Sequence, residues 1–526
     1  MQISQGPSLP LELWMYVLGD VAEEQNPDAI ARCARVCRFF QHMYKKRLET
    51  YQKRLQTRLT FRSEEDVERF ETDTAAMEIG GWRGPIFVAI EGEEESKAIP
   101  HVATFASRFA GRWTRIDALD INAASWPSSL RAANAAVFRD LSRFASITAL
   151  TLYGVTFPSI VTFGALASAL PGLEELFLKN VKFTRPSFPF DPQTLSNFRL
   201  LPPMRNLRVI SLGDVFASSW FKLDPSAWPC YTEILAFMAA MSNPCRKSPR
   251  VYPWGSVRVL RLDENIWWKF SSSSIARLLR ALPSLEKLVL GNGDSDDANL
   301  EITGVPAHSR LALITIGVHD ASAQPQHVAH IIRCLIDMEY PLRIMRIYAE
   351  VYPFFKDADT LVASAINELV QHAGPSLDDL GLFLKGNKDD ADWAPFDRQC
   401  DFFENTSPTS LRIHGCNASC LDVREILSHV TLRHVSSVNI RFKQLGRSDR
   451  GELSEGLSQL DTMLLPSVFD NLVHVLISIT YLEAEEDMTE WVCWIRSCLT
   501  SLDKRGIVGC VSVAPSAIDN INCPHY

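Results

Sequence analysis

His414, Cys416, Cys420 and His429 form the one concentration of metal-ligating residue types in the chain. Zinc needs four such ligands converging in a tetrahedron. Here His414 and Cys416 flank the end of a strand-like step, and His429 lies a helix away, so the spacing does not point to a closed site. The run Gly293-Asp294-Ser295-Asp296-Asp297 has the look of the start of a calcium loop. The loop's required glycine position holds Asn299, however, and its twelfth position is Val305 where glutamate belongs. A solvated acidic loop is the expectation there. No phosphate-binding glycine loop, G-x-G-x-x-G turn, G-x-S-x-G elbow or H-E-x-x-H pair occurs. A catalytic cysteine would need a paired histidine and an electropositive pocket, and neither is signalled. The sequence thus predicts no enzyme activity, no metal site and no cofactor.

Binding chemistry is the alternative, and aromatics are its usual anchors. They cluster at Trp220, Phe221, Trp228 and Tyr231, then at Tyr252, Trp254, Trp267 and Trp268. Most aromatic side chains pack in cores. Trp267 and Trp268 are harder to bury together, because neighbours on a strand face opposite sides. These two are the target-binding candidates.

The elements that would position such residues are repeats. ALASALPGLEELFL (Ala165 to Leu178) matches RLLRALPSLEKLVL (Arg277 to Leu290) in order: apolar helix, Ala-Leu-Pro stop, Leu-Glu step, alternating strand. Pro171 and Pro283 end the helices because proline cannot continue the hydrogen-bonded turn. Period-two apolar pairs recur at Leu150/Leu152, Leu176/Leu178, Ile210/Leu212, Leu260/Leu262, Leu288/Leu290, Leu411/Ile413 and Val438/Ile440. Two extend to L-x-L-x-x-[NC], at Asn265 and Cys416, where that residue would cap backbone groups as the strand turns away. From Leu150 to Leu176 is 26 residues and from Leu260 to Leu288 is 28, while others are longer, such as 50 from Leu212 to Leu262. That span implies an insertion over residues 213–255. Ile86 to Ile90 reads as the first strand, while Val473–Ile479 and Ile507–Val513 read as the last, with a Trp491–Leu502 helix between them. Such strand–helix units cannot bury their apolar faces alone and must stack into a solenoid.

The composition suits a large folded body: 526 residues, 46% hydrophobic and 22% charged. The net charge is −9, which argues against nucleic acid as partner. No apolar run is long enough to span a bilayer and no leader is evident. With twelve scattered cysteines and no C-x-x-C pair, an intracellular location, cytoplasmic or nuclear, is the expectation.

The N-terminus reads differently from the rest. Leu9, Leu11, Leu13, Trp14, Val17, Leu18 and Val21 make one apolar stripe at helical spacing, and Ala29, Ile30, Cys33, Val36, Cys37 and Phe40 make a second. Asn26-Pro27-Asp28 breaks the pattern between them. Residues 41–58 continue helical and basic, and Ser63-Glu64-Glu65-Asp66 has the form of a capping box. Leu9-Pro10-x-Glu12-Leu13, Val36-Cys37-Arg38 and Phe40 resemble the L-P-x-E-L, V-C-[KR] and aromatic positions of an F-box. The match covers about 40 residues; Ala29-Ile30 departs from the two leucines usual in the middle helix. With the repeats behind it, the chain is similar to F-box/leucine-rich-repeat proteins that are numerous in mushroom-forming fungi.

The resemblance implies a three-helix F-box followed by an irregular leucine-rich-repeat-like α/β solenoid, a horseshoe. It implies a substrate receptor of an SCF (Skp–cullin–F-box) ubiquitin ligase, binding a Skp-type adaptor and cullin complex at one end and a protein target at the other. Leu9, Pro10, Leu13, Val17, Leu18, Val36, Cys37 and Phe40 would carry adaptor docking. The expected divisions are 1–58 F-box and linker helix, 59–110 junction and first repeat-like unit, 111–514 solenoid and 515–526 tail. A repeat scaffold outside any ligase, with the N-terminal helices as a cap, is the alternative.

Overall fold

The computed structural model describes residues 58–76, 83–92, 98–126, 134–184, 204–213, 228–242, 254–262, 272–290, 313–316, 325–337, 346–351, 359–384, 408–416, 418, 420–428, 434–445, 449–465, 469–481 and 488–513. These fall into two compact units. One holds the described residues up to Pro158 with Ala169–Leu173; the other holds Ser159–Ser168 and everything from Glu174 on.

The first unit contains strands β1 (Arg58–Phe61), β2 (Phe87–Glu91), β3 (Ala118–Ser125) and β4 (Ala149–Phe157), and helices α1 (Glu64–Ala76), α2 (His101–Phe109) and α3 (Asn134–Leu141). The strands pair in chain order, all parallel. In-register parallel neighbours need crossovers, and the helices supply them. Leu59, Phe61, Val88, Ile90, Leu119, Ile121, Leu150 and Leu152 alternate into the core. There they meet an aromatic stack. Phe109 and Trp113 lie 3.8 Å apart between ring centroids at 14°, Phe105 and Phe144 5.4 Å at 4°, and Phe61 reaches Phe70, Phe105 and Phe109. Helix α1 opens with the capping arrangement its residues announce. The Asp66 N–H donates to Ser63 Oγ at 3.1 Å, and Asp66 Oδ2 accepts the Arg62 N–H at 3.1 Å.

One strand precedes the one the sequence suggests as first. Arg58–Phe61 is β1, so Arg58 begins a strand where the basic helical run was expected to end. Its register partner is Phe87, and the Arg58 guanidinium lies 4.6 Å over that ring. Tertiary pairing overrides the local helical pattern here.

The second unit contains β5 (Glu175–Lys179), the two-residue β6 (Lys182–Phe183), β7 (Val209–Leu212), β8 (Val259–Leu262), β9 (Lys287–Leu290), β10 (Leu313–Ile316), β11 (Arg346–Val351), β12 (Asp379–Leu384), β13 (Ser410–Cys416), β14 (Ser437–Leu445), β15 (His474–Tyr481) and β16 (Val508–Val513). Apart from β6 they pair in chain order, every pair parallel. Its helices are α4 (Ile160–Ala169), α5 (Trp228–Ser242), α6 (Ser272–Ala281), α7 (Pro325–Ile336), α8 (Asp359–Ala373), α9 (Leu421–Ser428), α10 (Arg450–Met463), α11 (Met488–Cys498) and α12 (Thr500–Lys504). Among the described residues, helices lie in the crossovers β7–β8, β8–β9, β10–β11, β11–β12, β13–β14, β14–β15 and β15–β16, the α/β repeat architecture the leucine spacing predicts.

The repeats share a backbone device that spacing alone does not reveal. The carbonyl just before one strand accepts two successive N–H groups at the start of the next. Ile86 O accepts from Asp117 and Ala118 at 2.7 and 3.1 Å, and Arg208 O accepts from Arg258 and Val259 at 2.8 and 2.9 Å. Thr409 O does the same for Ser436 and Ser437. This satisfies polar groups where the chain arrives at the sheet and holds the register through loops of very different length.

The proline stops fall where expected: α4 ends at Ala169 before Pro171, and α6 at Ala281 before Pro283. At the turn after Pro171, a Cβ on Gly172 would sit 2.4 Å from the Ala145 carbonyl oxygen. The 50-residue span from Leu212 to Leu262 is more than an insertion, because Trp228–Ser242 forms a helix in the crossover between β7 and β8. The expected Trp491–Leu502 helix is two helices, broken at Leu499 (φ −106°, ψ 49°). The F-box stretch 9–48, Trp220, Phe221, Tyr252, Asn265, Trp267, Trp268, the 293–297 acidic run, His429 and the tail after Pro515 lie outside the described residues.

Candidate ligand-binding face

Each strand sends alternate side chains to opposite sides of its sheet. In the second unit, Leu380 and Leu382, Leu411 and Ile413, Val438 and Ile440, and Val475 and Ile477 are at most 1% exposed. The residues between them occupy the other face. On β13 these are Ser410, Arg412 and His414; on β14 they are Ser437, Asn439 and Arg441, all half-buried. Register places Arg412 beside Asn439 and His414 beside Arg441. On the other flank Asp379 stands between Arg346 of β11 and Ser410 of β13.

The electrostatics of this cluster follow from crowding cations on a partly dry surface. Arg412 Nη2 holds Asp379 Oδ2 at 2.9 Å, and the Asp379 side chain is only 5% exposed. Burial, reinforced by the Arg441 and Arg412 guanidiniums, pushes the His414 imidazole down to about 4. It is therefore neutral at physiological pH. The Arg412 guanidinium already holds the Asp379 carboxylate, a charge-assisted pair on this face.

His414 thus stands among the charged and polar residues of this face. Cys416 is fully buried, its Sγ directed to the Ile413 carbonyl at 3.6 Å, and Cys420 turns its Sγ to the Ala418 carbonyl. A bulge between His414 and Cys416 separates the two residues' roles, with Gly415 at φ 79°. Among the described residues, no three His, Cys, Asp or Glu side chains are grouped to hold a metal ion.

The first unit carries a face of its own. Thr60, Ala89, Asp120 and Thr151 are register neighbours in one row, and Glu91, Asn122 and Tyr153 form the next. Burial pushes the Asp120 carboxyl up to about 6, against a hydrogen bond from Thr151 and the Arg58 charge, which pull it down; Glu91 adds to the rise. Asp120 Oδ1 meets no hydrogen-bond donor among the described residues. Arg62 Nε pairs with Glu91 Oε2 at 3.2 Å near the edge.

Of the aromatic candidates, Tyr231 and Trp254 are core residues, at 0% and 1% exposure. Trp267 and Trp268 lie outside the described residues, as do Leu9, Pro10, Leu13, Val17, Leu18, Val36, Cys37 and Phe40. Sequence reasoning missed Asp120, Asp379, Arg412 and Arg441. Their signal was available in the positions between paired apolar residues, as in Leu411-Arg412-Ile413-His414 and Leu119-Asp120-Ile121-Asn122.

No family model matches the chain, and no curated protein matches it. Among solved structures, it is similar to the leucine-rich repeat-containing protein LegL7 from Legionella pneumophila. The identity is 13% and the TM-score 0.35, over 79% of this chain and 98% of that one. Among the described residues, no helix is long and apolar enough to cross a membrane.

Proposed function

We propose that this chain is a non-enzymatic recognition protein, which holds a protein target on its strand faces and delivers it to a ubiquitin ligase through residues 9–40. The observation that carries the recognition half is the division of strands such as β3, β4, β13 and β14. One set of alternate residues is sealed in the core. The other presents half-buried charged and polar groups, Asp120 and Thr151 in one unit, Arg412, His414 and Arg441 in the other. Rigid, periodic faces of this kind are what repeat proteins use for extended partners.

The ligase half rests on the F-box resemblance of Leu9-Pro10-x-Glu12-Leu13 and Val36-Cys37-Arg38, of the kind met in F-box/leucine-rich-repeat proteins of mushroom-forming fungi. In this reading a Skp-type adaptor grips Leu9, Pro10, Leu13, Val17, Leu18, Val36, Cys37 and Phe40, and a cullin complex supplies the chemistry. The chain itself acts by proximity, raising the effective concentration of target beside the transfer machinery. An intracellular location, cytoplasmic or nuclear, follows from those partners.

The test is capture of the purified full chain by an immobilised Skp-type adaptor, wild type beside a Leu9→Ala/Pro10→Ala variant. Capture by the wild type, lost in a variant with unchanged circular dichroism, is the expected result. A wild type that is not captured removes the ligase role and leaves a repeat scaffold.

A further inference from the structure

Along the edge of the first unit where the chain turns into β2, β3 and β4, three exposed arginines stand in a row, Arg83, Arg115 and Arg143. From this row we infer a further contact surface, apart from the strand faces, that docks an acidic protein segment, one presenting glutamate or aspartate side chains.

Successive turns build the row. Arg83 lies in the turn before β2, Arg115 in the turn before β3 and Arg143 in the turn before β4. The Arg83 carbonyl accepts the Thr114 and Arg115 N–H groups at 2.9 and 3.1 Å, so the first two turns touch. The third leans on the second. Gly111, at φ 77°, has no side chain, and a Cβ built there would lie 2.7 Å from Arg143 Nη2. The Arg143 guanidinium thus rests over the turn that carries Arg115. Since β2, β3 and β4 are parallel neighbours, the turns are stepped by the strand spacing, about 4.8 Å.

The charge of the row is uncompensated. Among the described residues, the side chains of Arg83, Arg115 and Arg143 hold no ion pair and no hydrogen bond. Arg112, beside them, is held by Glu71 Oε1 at 2.7 Å and is not part of the row. Residues 83–86, 110–117 and 142–148 include one acid, Asp117, and its carboxylate accepts the Thr148 hydroxyl. Arg139, in the last turn of α3, suits the helix dipole, whereas Arg83 and Arg115 lead into strands. Charges more than about 8 Å away are screened at physiological salt. This edge, and not the net −9 of the chain, therefore decides what it attracts.

The arrangement favours carboxylates spaced along a chain. A single phosphate is gripped best by forks that converge on one point, and these guanidiniums are strung along three turns. Single-stranded nucleic acid calls for exposed aromatics on which bases stack. The aromatics of these turns are inside, Trp113 at 4% exposure and Phe144 at 0%. Thr114, exposed between Arg112 and Arg115, adds a hydroxyl that can bond a peptide backbone.

The probe is a fluorescein-labelled peptide of ten residues rich in glutamate, titrated with the full chain at low salt and read by fluorescence anisotropy. A glutamine counterpart, a phosphoserine counterpart and an oligothymidylate run beside it. The glutamate peptide is expected to bind, more weakly as salt rises. The triple variant Arg83→Gln/Arg115→Gln/Arg143→Gln is expected to bind about tenfold more weakly, each exposed pair contributing modestly. Its circular dichroism should be unchanged, because all three side chains are exposed. Arg205→Gln/Arg277→Gln, at two exposed arginines of the second unit, controls for loss of charge elsewhere and should bind as the wild type does. A second reading uses the wild type alone. The same peptide carrying a benzophenone is photo-cross-linked, and mass spectrometry is expected to find the links in residues 83–86, 110–117 or 142–148.

No binding, equal binding of the glutamine peptide, an unchanged affinity in the triple variant, an equal loss in the control, or cross-links only outside those turns overturns the inference. So does preference for the phosphoserine peptide or the oligothymidylate. Adaptor capture by residues 9–40 is a separate measurement, and neither result decides the other.

Discussion

The Tyr231 hydroxyl accepts the Asn180 backbone N–H at 2.6 Å, across 51 residues of chain. Tyr231, on helix α5, is fully buried, and its own hydrogen points to the Leu178 carbonyl at 3.5 Å. Asn180 sits at φ 52°, a left-handed conformation that asparagine tolerates better than most residues. The exit of β5 is thus capped by a tyrosine from the next crossover helix. Tyr231→Phe would keep the packing but leave the amide without that acceptor. A loss of about 1–3 kcal/mol is expected, seen as a lower melting temperature and faster hydrogen exchange at Asn180.

Asp461 performs a comparable service at the C-terminal end. Its buried carboxylate accepts the Ser501 N–H at 2.9 and 3.1 Å and the Leu502 N–H at 2.9 Å. Helix α12 has no cap from its own N-cap residue, Leu499, so α10 supplies one from 40 residues upstream. Asp461→Ala should cost about 2 kcal/mol. Exchange should accelerate first at Ser501 and Leu502, while the first unit stays protected, because repeat contacts are local.

The charge on Asp120 works against folding at neutral pH. Its folded value, about 6, lies above the ordinary 3.8, so the folded state binds the proton more tightly. Its contribution is full below pH 3.8 and is lost as pH rises through 6. Asp120→Asn keeps an acceptor for Thr151 and removes the charge. Denaturant midpoints should show the variant more stable at pH 7.5, by up to about 3 kcal/mol, and level with wild type at pH 3.5.

His414 has the opposite sign. Its folded value of about 4 lies below the ordinary 6.5, so the unfolded state binds the proton first. The stability it contributes is present above pH 6.5 and is lost as pH falls toward 4. His414→Gln should flatten the decline between those values. The same denaturant series, run on both variants, separates the two groups because their slopes oppose.

Much of the architecture was legible in the chain. Leu176/Leu178, Leu288/Leu290 and Leu411/Ile413 announced strands because a one-sided core demands a period of two, and Pro171 and Pro283 announced helix ends because proline lacks the N–H. Strands β1, β3, β10, β11 and β12 were not read from the sequence. Arg58–Phe61 follows a basic helical pattern, and short apolar runs such as Leu313–Ile316 do not declare their partner. Leu499 offered no sign of a helix break, since the acceptor that favours one, Asp461, is far away in sequence.

The candidate face divides in the same way. The residue types at positions 412, 414, 439 and 441 follow from the sequence, and so does their alternation with buried neighbours, since β geometry sends every second side chain to one side. Which strands adjoin is another matter. The approach of Arg441 to His414, the pairing of Arg412 with Asp379 and the bulge that turns Cys416 inward depend on parallel register between segments some 30 residues apart. Register is decided by the stacking of whole strand–helix units, a property of many residues together, and no local pattern encodes it.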